Sequence, residues 1–182
     1  MQSSSKAPQL RNFAIAVVAI VLVVALYLGI RTQNSSTSLE AQAAQSRPID
    51  IALANGKPTL MEFYANWCGS CQAMAKDLAA VKLQFGEQVN FSMLNVDNTK
   101  WLPEVTKYRV DGIPHFVYFD RNGKVTAQAI GQQPRQILES QLAALIAGTT
   151  PTSPTQSGEV SQFTPKVVPN GNSNDDPRAH GA

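Results

Sequence analysis

A chain of 182 residues has room for one ordinary domain plus appendages. Its 15 Lys+Arg against 13 Asp+Glu leave a formal net charge of +2, with the basic residues scattered, so the clustered positive footprint of a nucleic-acid-binding protein is excluded. Two cysteines and two histidines (His115 and His180) are too few for a disulfide-dense scaffold, and they fill a four-ligand zinc site only if all of them are used.

Residues 13–30 (FAIAVVAIVLVVALYLGI) carry no charge. As a helix rising 1.5 Å per residue they cover about 27 Å, close to the thickness of a bilayer's hydrocarbon core. No polar face interrupts the run, which argues against a core helix packed on one side. A signal peptide needs an apolar stretch of about 7–15 residues closely followed by a small-residue cleavage site. The nearest such pattern, Ala41-Gln42-Ala43, lies well downstream, so the segment is expected to be an uncleaved transmembrane anchor. Lys6 and Arg11 precede it, whereas Arg31 and the more distant Arg47 follow. That bias puts residues 1–12 in the cytoplasm and the bulk of the chain across the membrane, where disulfides persist. Residues 31–47 are polar, with Leu39 the one larger apolar residue, and read as a linker that holds the next domain off the bilayer.

Residues 48–148 form the expected folded domain, with equal numbers of acidic and basic side chains, so bulk charge does not choose its partners. Residues 58–64 (PTLMEFY) make a short apolar run that fits a strand buried on both faces. Cys71, Met74, Ala75, Leu78, Val81 and Phe85 then recur at three- and four-residue spacing, which predicts a helix over 69–85 stopped by Gly86. A second strand is predicted over 89–96, then a short helix over 103–108 with Pro103 in its first turn. Strands over 115–119 and 124–130 flank Asp120-Arg121-Asn122-Gly123, whose Asn-Gly step signals a hairpin. A final helix over 134–147 carries Ile137, Leu138, Leu142, Leu145 and Ile146, with Gly148 just past its end. The order predicts an α/β domain: a mixed central sheet flanked by helices. Residues 149–182, rich in Pro, Ser, Thr, Asn and Gly, read as a disordered or loosely draped tail.

Cys68 and Cys71 sit where the first strand gives way to a helix, in Trp67-Cys68-Gly69-Ser70-Cys71. One turn of helix brings two sulfurs at this spacing within bonding range, and the first stands at the positive end of the helix dipole. A thiolate stabilised there attacks a target disulfide, and the second thiol resolves the mixed disulfide. A purely structural disulfide and half of a zinc site are the alternatives; the strand-to-helix position favours the redox reading.

The run Glu62-Phe63-Tyr64-Ala65-Asn66-Trp67-Cys68-Gly69-Ser70-Cys71 resembles the active-site segment of thioredoxins, and Asp111-Gly112-Ile113-Pro114 resembles that family's cis-proline loop. Gly131 also stands where thioredoxins have a glycine. A closer resemblance is to the membrane-anchored thioredoxin-like proteins of cyanobacterial and chloroplast thylakoids linked to cytochrome b6f biogenesis. It rests on the anchor, on residues 95–101 (NVDNTKW), on Gly112-Ile113-Pro114-His115-Phe116 and on the ending Asp176-Pro177-Arg178-Ala179-His180-Gly181.

This resemblance implies a thioredoxin fold, Cys68 as nucleophile and Cys71 as resolving thiol. It implies that Glu62 is a buried acid exchanging protons with Cys71; burial in an apolar strand raises a carboxyl pKa and suits it to general base work. Pro114 is expected in the cis form, leaving a backbone edge at Ile113 open for an extended substrate segment, with Trp67 against the rim. No metal and no cofactor is expected, since the dithiol itself carries the electrons. The implied partners are disulfide-containing clients such as apocytochromes, with a CcdA-type transmembrane thiol carrier or a thioredoxin as electron partner, at the lumenal side of the thylakoid membrane. Ser70 departs from the proline of the familiar motif and restores an N–H and a hydroxyl near the nucleophile. A stabilised thiolate makes a stronger oxidant, so a disulfide oxidant is the rival, beside a cytoplasm-facing partner of thioredoxins and a redox-inactive binding module.

Overall fold

In the computed structural model, residues 6–151 and 158–165 are described. The chain divides at Ser38/Leu39 into two units. The first holds α1 (Lys6–Ser36), a 31-residue helix within which Arg11–Leu28 is long and apolar enough to cross a membrane, none of it buried in the protein. Side chains such as Phe13, Leu22 and Leu26 stand on every side of it, each more than three-fifths exposed.

The second unit starts with α2 (Leu39–Ala44) and α3 (Ile49–Ala54), followed by β1 (Thr59–Tyr64) and α4 (Gly69–Phe85). Next come β2 (Asn90–Asn95), a 3-10 turn (Thr99–Trp101) running into α5 (Leu102–Lys107), and β3 (Gly112–Ile113). β4 (His115–Phe119), β5 (Val125–Ile130), α6 (Arg135–Ile146) and β6 (Ser161–Gln162) complete it. The four long strands lie in the order β2-β1-β4-β5. β1 and β2 are parallel, which requires the crossover through α4, while β4 runs antiparallel to both β1 and β5.

Burial explains the order. Every residue of β1 and of β4 is buried, so these two strands form the centre, whereas β5 exposes Val125 and Gln128 and takes the edge. The β4–β5 turn is closed by Asp120, whose carboxylate accepts the N–H groups of Asn122 (2.8 Å) and Lys124 (2.9 Å), and by Gly123 at φ +72°. On one face of the sheet, Leu39, Ala43, Ile49 and Leu53 of α2 and α3 pack with Val105 and Tyr108 against Met61, Phe63, Val117 and Phe119. On the other, Met74, Leu78 and Val81 of α4 meet Leu138, Leu142 and Leu145 of α6 over Leu60, Phe116 and Tyr118. The mixed sheet flanked by helices is the architecture the sequence predicts.

Two expectations are corrected. The linker reading of 31–47 gives way to the end of α1 and to α2, where Leu39 and Gln42 are buried at three-residue spacing and Gln42 Nε2 donates to the Ala75 carbonyl at 2.7 Å. Arg47 joins the sheet edge, its N–H donating to Phe91 O at 2.9 Å. A polar composition concealed this docking because six residues need only one narrow buried stripe. The tail is corrected as well: β6 pairs antiparallel with β3, Gly112 opposite Gln162 and Ile113 opposite Ser161. The ending at residues 176–181, with His180, lies outside the described residues.

Because Leu39 is packed in the core, Leu39→Ala should destabilise the domain by about 2–3 kcal/mol in denaturant unfolding of the full chain. A change below about 0.5 kcal/mol, typical of an exposed site, would restore the linker reading.

Candidate active site

The site begins with β1. Held between β2 and β4, it delivers the chain at Tyr64 to a tight turn in which the Cys68 N–H donates to Ala65 O at 3.2 Å. Helix α4 then starts at Gly69 with Cys68 as its N-cap: the Cys71 N–H donates to Cys68 Sγ at 3.0 Å. A sulfur in this position receives an otherwise unpaired helix N–H and faces the positive end of the dipole. Cys68 and Cys71 are joined in a disulfide, their Cα atoms 5.2 Å apart, and both residues are fully buried.

Ser70 is buried beside them. Its Oγ lies 3.3 Å from Cys68 Sγ, donates to the Ile113 carbonyl at 3.2 Å, and is 2.9 Å from the Ser161 hydroxyl. The serine that replaces the expected proline thus links the nucleophile's sulfur to the β3 edge and to β6. The Ile113–Pro114 bond is cis, as the resemblance implies. The edge at Ile113, expected to be open, is occupied by β6. Trp67 stands half exposed on the rim, its Nε1–H donating to the Asp97 carboxylate at 2.9 Å.

Glu62 lies in the middle of β1, 2 % exposed, and neither of its carboxylate oxygens has a hydrogen-bond partner among the described residues. Burial pushes its pKa above the ordinary carboxylate range, and the nearby Lys82 ammonium only partly offsets this. Lys82 Nζ is 3.8 Å from Glu62 Oε2 and donates instead to Gln42 Oε1 (2.8 Å) and Met93 Sδ (3.0 Å). Burial lowers the Lys82 pKa in turn, so both members of the pair lean toward their uncharged forms. His115, for which the sequence suggests no chemistry, is buried with Nε2 2.8 Å from Gln128 Oε1; burial lowers its pKa and keeps the ring neutral.

Sequence reasoning put Glu62 in the first strand, Trp67, Cys68 and Cys71 where that strand gives way to a helix, and Ile113 and Pro114 in a loop; the structure has Glu62 in β1 and Cys68 and Cys71 at the start of α4, but puts Ile113 in a short strand, β3, with Pro114 between β3 and β4. Sequence reasoning missed Lys82, Asp97 and Ser161. Lys82 had a signal: a lysine one turn after Leu78 interrupts the apolar stripe of α4. Ser161 had none, because nothing local in a Ser/Thr/Pro-rich tail says where it docks.

A bonded cysteine pair capping a helix, on a strand–helix unit whose strand buries an acid, is the working part of a thiol–disulfide oxidoreductase, the class that this fold and site define. The chain belongs to the thioredoxin family, whose sequence profile, "Thioredoxin", matches residues 42–144. It is similar to the "Thiol:disulfide interchange protein TxlA homolog" of Synechocystis sp., with 60% identity over 139 residues, covering 76% of this chain and 77% of that protein. The "Thiol:disulfide interchange protein TxlA" of Synechococcus elongatus is 42% identical over 172 residues, or 94% of this chain and 90% of that one. The "Thioredoxin-like protein HCF164, chloroplastic" of Arabidopsis thaliana is 42% identical over 137 residues, 75% of this chain and 52% of its own length.

The Glu62 pKa rises on folding, so the protonated acid is the form that folding favours. Its stabilising contribution is fully present below the carboxylate range of the unfolded chain and is lost as pH rises through the folded value. Unfolding free energy should therefore fall with rising pH across that window, and Glu62→Gln should flatten the slope in denaturant titrations at several pH values. The exchange rate should carry an inflection from the same group. Lys82→Met, which removes the one cation lowering the Glu62 pKa, should move that inflection to higher pH; an unmoved inflection in both variants would exclude Glu62 as its source.

Proposed function

We propose that this chain is a single-pass membrane protein whose thioredoxin domain, starting at α2, reduces protein disulfides with the Cys68/Cys71 dithiol. The observation that carries this reading is the Cys68–Cys71 bond at the N-terminus of α4, with the Cys71 N–H directed at Cys68 Sγ. The Cys68 thiolate, stabilised by that N–H, and by the Ser70 hydroxyl when its one proton turns from the Ile113 carbonyl to the sulfur, attacks one sulfur of a client disulfide. A mixed disulfide forms and the client's other sulfur leaves as a thiolate, which takes a proton. Glu62 as carboxylate takes the proton of Cys71, whose thiolate attacks Cys68 Sγ, closes the Cys68–Cys71 disulfide and releases the client's second thiolate. Two electrons pass from the dithiol to the client, and a dithiol donor restores the reduced pair. Trp67, Ile113 and Pro114 form the rim on which the client lies.

The apolar helix α1 supports the anchor, and the positive flank at Arg11 supports an orientation with the domain across the membrane from the cytoplasm. The similarity to TxlA and to chloroplastic HCF164 supports a thylakoid location, where the orientation argued from the charged flank puts the domain in the lumen. A lumenal reductant needs electrons carried across the bilayer, and a transmembrane thiol carrier of the CcdA type, or a thioredoxin, supplies that chemistry; apocytochrome cysteines fit as clients. The Ser70 hydroxyl at 3.3 Å from Cys68 Sγ favours a second reading, since a better stabilised thiolate makes the pair more oxidising.

Cys68→Ser should abolish exchange with a protein disulfide, and Cys71→Ser should accumulate the mixed disulfide on Cys68; an undiminished rate in Cys68→Ser would sink the proposal. A reduction potential near about −270 mV marks a reductant, and one near about −120 mV an oxidant. Labelling of the two thiols with an impermeant reagent in oriented vesicles should succeed only from the lumenal side; labelling from the cytoplasmic side reverses the orientation.

A further inference from the structure

The tail meets the site at several independent points. At one end the Gln132 N–H donates to Glu159 O at 3.0 Å; at the other the Phe163 N–H donates to Asp111 O at 3.0 Å. Between them Val160 rests on two glycines: a Cβ added at Gly112 would stand 2.5 Å from Val160 Cγ1, and one at Gly131 would stand 2.8 Å from Val160 Cγ2. Ser161 pairs with Ile113, and its hydroxyl is 2.9 Å from the Ser70 Oγ that lies 3.3 Å from Cys68 Sγ. Phe163 packs against the core cluster that contains both cysteines.

This is how an extended client would bind. Strand addition uses backbone bonds for affinity and alternate side chains for specificity. Here the strand lies on the edge next to the disulfide, an aliphatic side chain fills the glycine seat, and a hydroxymethyl group points at the residue touching the nucleophile. Serine differs from cysteine by one atom, oxygen for sulfur. Cys68, moreover, is fully buried, so a client sulfur reaches it only after some part of its surroundings moves. β6 is held through two paired residues and is the short element next to it.

We propose that residues 159–163 occupy the client-binding edge as an intramolecular stand-in, with Ser161 in the place of the client's cysteine. The inference rests on the dithiol reading above and adds the kind of client: an extended protein segment with an aliphatic residue directly before its cysteine and a large apolar residue two positions after it. Such a segment binds by displacing β6. A site closed in about nine molecules of ten binds about tenfold more weakly than the open one.

Two measurements on the full chain in detergent test this. In the first, Cys71→Ser/Ser161→Cys leaves Cys68 and one new thiol, and oxidised glutathione is added. The Cys68 thiolate attacks it, releasing one glutathione thiolate, and the thiol at 161 then displaces the second. Two protein thiols are oxidised to one disulfide and one glutathione disulfide is reduced to two thiols. Peptide mapping should find the Cys68–161 bond within single chains, whereas a Cys71→Ser/Gln162→Cys control, altered at the exposed neighbour, should retain glutathione adducts. Equal adduct formation in both would overturn the proposal.

In the second, Val160→Asp, with both native cysteines present, puts a charge into the glycine seat. The KM for a disulfide-bonded peptide containing Val-Cys-Gln-Phe should fall by up to about tenfold with a smaller change in kcat. An unchanged KM overturns displacement. If neither protein reduces the peptide, the dithiol reading fails, and the cross-link still decides whether the tail occupies the edge.

Discussion

The position of one helix N-terminus governs this molecule. Strand β1, buried along its whole length between β2 and β4, leaves the chain no freedom in where it exits the sheet. The turn after Tyr64 therefore starts α4 at a fixed point, and Cys68 becomes its cap. Everything chemical follows from that register. The Cys71 N–H points at sulfur rather than water, the Cys71 side chain falls within bonding distance one turn on, and Ser70 reaches across to the Ile113 carbonyl. A helix end that lacks intrahelical partners is ordinarily a cost to the fold. Here it stabilises developing negative charge on a thiol.

The buried acid shows the same economy from the other direction. Glu62 and Lys82 lie near one another, but the ammonium is drawn toward Gln42 and Met93, leaving the carboxylate without a hydrogen bond among the described residues. A well-made ion pair would have held Glu62 ionised. Loosened in this way, the pair leaves the Glu62 pKa raised in an apolar strand, which the proton exchange with Cys71 proposed above requires. Gln42 belongs to α2, so the helix preceding the main sheet takes part in setting this balance.

The parts of the fold legible in the sequence are those with long, repeated patterns. The seventeen-residue helix α4 shows its stripe five times over, and the β4–β5 hairpin announces itself through Asn122-Gly123. Helices α2 and α3 have six residues each and bury one or two side chains apiece, too few for periodicity to register. Cys68, Cys71 and Glu62 were legible because their chemistry is local to one strand–helix junction. The roles of Lys82 and Ser161 depend on tertiary contact, Lys82 standing 20 positions along the chain from Glu62 and Ser161 standing 91 positions from Ser70, and no local pattern encodes that. Composition was least informative in the tail, where Val160 and Phe163 stand among polar residues and still find specific seats.

The attachment of β6 to the same chain has a quantitative side. A covalently connected segment presents itself to its site at an effective concentration of about millimolar order, however dilute the protein is. A client in solution competes against that constant local supply. Short, weakly binding disulfides such as those of small thiols are thereby disfavoured, and the proteins selected are those that bring further contacts beyond the edge itself. Val160 on its two glycines thus acts as a threshold, favouring a macromolecule that grips the surface around the disulfide over an equally reducible small molecule, which reacts more slowly.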